Sequence, residues 1–106
     1  MREKSGWSII TASTIEVDLS TCKYPRDIHR TLREAFGFPD DYGANWSAFW
    51  DYLDDFCGDI DSSTTIDVWG LPSLGHDLKD YTKKMIEIMD RAEQLYPKVH
   101  FALQNS

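Results

Sequence analysis

The chain has 106 residues, of which 42% are apolar and 13% aromatic, enough for one hydrophobic core and far from the composition of disordered chains. No run approaches the ~20 consecutive apolar residues of a membrane-spanning helix. The net charge of −7 argues against direct binding to nucleic-acid phosphates, which attract basic surfaces.

One domain over residues 1–106 is expected, with residues 1–13 as a weakly patterned N-terminal extension in which Trp7, Ile9 and Ile10 suit an edge segment or a core contact. Residues 7–12 are too short and too polar for the apolar region of a signal peptide, so cytoplasmic residence is expected. Residues 14–19 alternate apolar and polar side chains, the period of a half-buried strand. Pro25 suits the first turn of a helix, and Ile28, Leu32, Ala35 and Phe36 recur at helical spacing until Gly37 and Pro39 stop it.

Asn45 is placed to cap a second helix over residues 45–56. Its apolar positions are Trp46, Phe49, Trp50, Leu53 and Phe56, which leaves Ser47, Asp51, Asp54 and Asp55 on the other face. Residues 64–69 form another alternating β-rich run, closed by Gly70 and Pro72. From Asp77 a stripe of Leu78, Tyr81, Met85, Ile88, Met89, Ala92 and Leu95 predicts a third helix that Pro97 ends, and residues 99–103 read as a third strand. Strands joined by helical connections imply a parallel sheet, hence an α/β fold. Trp46 and Trp69 follow the apolar periodicity and are expected in the core, with Trp50 at the border of the acidic surface.

The charge is unevenly placed. Seven acids, Asp40, Asp41, Asp51, Asp54, Asp55, Asp59 and Asp61, stand in a segment with no Lys or Arg, while the remaining 11 acids equal the 11 basic residues in number. Asp51 and Asp55 are like charges one turn apart, and Asp54 and Asp55 lie at the negative end of the helix dipole, each arrangement costing a few tenths of a kcal/mol. Helix stability alone would not select this order, whereas a protein partner with a basic cleft would be attracted and steered by it. The preceding loop, Asp40-Asp41-Tyr42-Gly43-Ala44, sets an aromatic among acids, which suits an interface anchor at Tyr42.

Asp27-Ile28-His29-Arg30-Thr31-Leu32, then Phe38-Pro39-Asp40-Asp41-Tyr42-Gly43-Ala44-Asn45 and Ala48-Phe49-Trp50-Asp51, resemble the barstar family of ribonuclease inhibitors. The resemblance implies a three-stranded parallel sheet packed by helices, whose second helix and preceding loop occupy a ribonuclease active site. It also implies that Asp51 is the central acid, standing in for a substrate phosphate, and that Trp50 borders or supports the same surface. Gly43 would permit the turn into the helix and Asn45 would cap it. Departures from the family pattern fall at Asp41, where the family has an interfacial tyrosine, at Ser47, where it has an acid, and near Arg91, where it has another acid. They point to a related but distinct ribonuclease toxin.

Partner-binding residues are thus expected at Asp51, Asp41, Tyr42, Gly43, Asn45, Ser47, Trp50, Asp54 and Asp55, with no catalytic residue, no metal and no cofactor. Two rival readings remain for the same acids: a barstar-like domain that binds another partner, or a small Mg²⁺-dependent hydrolase. His29, His76 and His100 lie on different elements with no ligand spacing and are expected in capping, surface or strand-packing roles. Cys22 and Cys57, far apart and outside any C-x-x-C pair, are expected as plain thiols.

Overall fold

A computed structural model describes residues 14–104. The N-terminal reading of Trp7, Ile9 and Ile10 lies outside the described residues. The order of elements is β1 (Thr14–Asp18), α1 (Pro25–Phe36), α2 (Trp46–Gly58), β2 (Thr64–Trp69), a 3₁₀ turn at Leu71–Ser73, α3 (His76–Leu95) and β3 (Val99–Leu103). The strands form one sheet in the order β1-β2-β3. Both pairings are parallel, with Ile15 opposite Ile66 and Ile66 opposite Phe101. The expected α/β architecture is therefore present, and among the described residues the Leu71–Ser73 turn is added to it.

The period of two along the strands divides the sheet into unlike faces. Ile15, Val17, Ile66, Val68, Val99 and Phe101 are buried, and they share one core with Ile28 and Leu32 of α1, Phe49 and Leu53 of α2, and Met85 and Met89 of α3. The alternate residues of β2, Thr65, Asp67 and Trp69, are only half-buried. This corrects the expectation for Trp69: one residue beyond Val68, it must face away from the helices.

Local chemistry sets the bounds of the helices. Asp27 accepts hydrogen bonds from the backbone N–H groups of Lys23 and Tyr24, both at 3.0 Å, which satisfies donors at the start of α1. Gly37 then adopts the left-handed conformation (φ 74°) that ends α1 and turns the chain into the loop before α2. Cys22 and Cys57 are both free and buried, and burial pushes the Cys57 thiol up to about 12.

Candidate functional site

The acidic helix α2 is anchored through its cap and its aromatic underside. Asn45 Oδ1 accepts a hydrogen bond from the Ala48 N–H at 2.8 Å, while Asn45 Nδ2 donates to the Gly43 carbonyl at 3.1 Å. One side chain thus joins the loop to the first turn. Asn45→Ala is expected to lower stability by about 1 kcal/mol, the usual cost of losing such a cap, measurable by urea denaturation.

The expected role of Gly43 needs correction. The residue with positive φ is Ala44 (φ 53°), whereas Gly43 is absent from that region. A Cβ on Gly43 would lie 3.2 Å from Asn45 Nδ2 and 3.3 Å from Ala48 Cβ, so glycine here leaves room for the cap. The left-handed strain, about 1 kcal/mol for a residue with a Cβ, falls on Ala44.

Ser47, Asp51 and Asp55 are exposed and follow one another at four-residue spacing, forming a single outward stripe. Neither a basic residue nor an acid occupies the balancing position at either end of α2. Asp54 departs from the stripe: it is half-buried and accepts a hydrogen bond from the Tyr96 hydroxyl, which ties α2 to the segment before β3. That bond to the carboxylate raises the Tyr96 hydroxyl to about 12. The spacing of Asp54 from Asp51 placed it on the outer face, but the packing of Tyr96 narrows that face.

Asp41 is exposed on the loop and accepts a hydrogen bond from the Tyr52 hydroxyl at 2.8 Å. Tyr52 was not among the expected site residues, since no spacing within one element links positions 41 and 52. Asp40 pairs with Arg33 at 2.9 Å on the surface, where such pairs contribute little.

Tyr42 lies elsewhere than expected. Its side chain is buried, 8% exposed, against Phe38 with ring centroids 5.3 Å apart. Its hydroxyl is 2.7 Å from His29 Nδ1, and His29 Nε2 is 2.8 Å from the Tyr81 hydroxyl. The His29 ring also packs on Trp46 at 4.4 Å between centroids. Tyr42 therefore holds the loop down from inside, and the free protein presents Asp41 and Ala44 at this point. His29 is 2% exposed, and burial lowers its pKa below the ordinary value. It is a buried hub between α1, the loop and α3, a role outside the capping, surface and strand-packing ones expected for it.

Beside the acidic stripe, α2 and α3 enclose a groove of about 550 Å³. Ser47 and Asp51 line it from α2, Lys84, Glu87 and Arg91 from α3, with Trp50 and Ile88 more deeply set. The Arg91 guanidinium lies over the Trp50 ring, 4.7 Å from its centroid. Trp50, expected at the border of the acidic surface, occupies this groove. Among the described residues no helix is long and apolar enough to cross a membrane, and no three His, Cys, Asp or Glu residues are grouped to hold a metal ion.

The family model described as Barstar (barnase inhibitor) matches residues 12–104, nearly the whole chain. A search of curated proteins gives no match.

Proposed function

This chain belongs to the barstar family, and on that premise we propose that it neutralises a ribonuclease toxin by seating α2 and the preceding loop in the enzyme's basic active site. The observation that carries the reading is Asp51: an exposed carboxylate in the middle of a capped, core-packed helix that has no basic residue of its own. Asp51 replaces a substrate phosphate among the enzyme's cations. Ser47 and Trp50 flank it on the helix and Asp41 on the loop, while Tyr42, Gly43 and Asn45 set the loop's shape. Asp55 and Asp54 add to the field that steers the encounter. Inhibition is steric and electrostatic, and the chain carries out no chemistry.

The test is an RNA-cleavage assay. Ribonucleases retained on the immobilised chain from its source cells are purified and titrated with it, with barnase alongside. Loss of cleavage at one inhibitor per enzyme is expected, and undiminished cleavage under excess inhibitor would overturn the reading. Steering adds a kinetic prediction: the association rate falls on the order of tenfold between low and physiological ionic strength, as screening shortens the reach of the acidic field. Stopped-flow mixing of chain and ribonuclease measures it, and Asp55→Ala flattens that salt dependence while changing the dissociation rate little.

A further inference from the structure

The groove between α2 and α3 differs in charge from the acidic stripe at its edge. Asp51 on α2 faces Lys84, Glu87 and Arg91 on α3 across it, and Lys84 lies 3.7 Å from Glu87 in an exposed pair on α3. Arg91 forms no ion pair among the described residues: its guanidinium stacks on Trp50 instead of turning to Asp51, which lines the same groove. That contact with the ring leaves the guanidinium N–H donors without an ion-pair partner among the described residues, available to a group of opposite charge. A side chain already held in one orientation also loses less freedom when it binds.

We infer that Arg91, positioned by Trp50, is a specificity-determining contact that receives a carboxylate from the rim of the partner ribonuclease while Asp51 enters its basic cleft. This rests on the proposed inhibitory role and adds a requirement to it: the partner must carry an Asp or Glu beside its cationic site. Charge complementarity selects that occupant. A planar guanidinium fork takes a carboxylate through two parallel hydrogen bonds, and the neighbouring aromatic surface excludes water from them. An enzyme with a wholly basic rim would meet Arg91 as a like charge and be rejected, so one groove both accepts and discriminates.

The test uses the full chain and the ribonuclease it inhibits, with melting curves to show that each variant is folded. Arg91→Glu is expected to weaken inhibition at least about tenfold, and reversing the facing carboxylate on the ribonuclease to arginine is expected to restore it. In Arg91→Lys, carbodiimide coupling is expected to join the new amine to an Asp or Glu of the ribonuclease, located by mass spectrometry. If Asp51→Ala weakens inhibition while Arg91→Glu leaves it unchanged, the inhibitory reading stands and the carboxylate contact is overturned. The contact is also overturned if the complex forms with Arg91→Lys yet yields no coupling at that position, or if Arg91→Glu abolishes only the binding of a short RNA oligonucleotide. If neither Asp51→Ala nor Arg91→Glu affects inhibition, both readings fall.

Discussion

Asp51→Ala is expected to weaken inhibition of the ribonuclease by at least about 2 kcal/mol, roughly thirtyfold, within a class range to which complexes of this family themselves contributed. The size follows from where the charge goes. In the free protein Asp51 is exposed and hydrated, so its removal costs the fold almost nothing. In the proposed complex it would be dehydrated among the enzyme's cations, and its truncation would leave those cations buried without a partner. Asp59→Ala is the internal comparison, since Asp59 is an exposed acid of the same segment just past the end of α2. It removes the same net charge but no buried contact, so its effect is confined to a small loss in association rate. Calorimetric titration of both variants separates the cases, and equal losses would remove Asp51 from the centre of the interface.

His29→Ala is expected to destabilise the fold by about 3 kcal/mol, through a cavity beneath Trp46 and the loss of a hydrogen-bond partner for the buried Tyr42 hydroxyl. In the neutral imidazole one ring nitrogen donates and the other accepts, so one of the two tyrosine hydroxyls, Tyr42 or Tyr81, donates to the ring and the other accepts from it. The same burial makes stability depend on pH. With the folded-state pKa lowered from 6.5, the unfolded chain binds a proton at a pH where the folded protein does not. Stability from this group is therefore complete above pH 6.5 and declines as the pH falls from there toward the lowered folded value. His29→Phe keeps most of the ring volume, strands the Tyr42 hydroxyl, and should abolish this part of the pH slope. Urea denaturation above and below pH 6.5 tests both statements, and an unchanged slope in His29→Phe would assign the pH dependence to other groups. Because Tyr42 fastens the loop that carries Asp41, the variant should also loosen the proposed binding loop before it unfolds the protein, which hydrogen exchange at residues 40–45 would register.

How much of the site was legible depended on whether its parts lay within one element. The cap at Asn45 follows from its side-chain chemistry and the exposure of Ser47, Asp51 and Asp55 from the helical period, and both appear where expected, whereas the place of Trp50 beside those acids was implied by the family resemblance. Contacts between elements did not follow from it. The Tyr52 hydroxyl reaches Asp41 across 11 positions, Tyr96 reaches Asp54 across 42, and Tyr81 reaches His29 across 52. A periodic reading assigns each residue to a face but not to the neighbour that the face will meet. Hence Tyr42, an aromatic among acids that suits an exposed anchor, turns inward against Phe38 and His29.

The acids of the segment from Asp40 to Asp61 and the amphipathic period of α2 are properties of the chain order, and with the three alternating runs they determine an α/β fold bearing one acidic helix. Backbone geometry alone enforces those periods, so no tertiary contact is needed to read them. Tertiary packing decided which acids stay in water, since Asp51 and Asp55 remain exposed whereas Tyr96 draws Asp54 inward. It also put Ala44 rather than Gly43 in the left-handed turn, and it left room at position 43 for no more than a glycine beside the side chain of Asn45 and the Cβ of Ala48. Only the approach of α3 to α2 set Arg91 over Trp50, joining positions far apart in the chain through a crossing that no local pattern encodes.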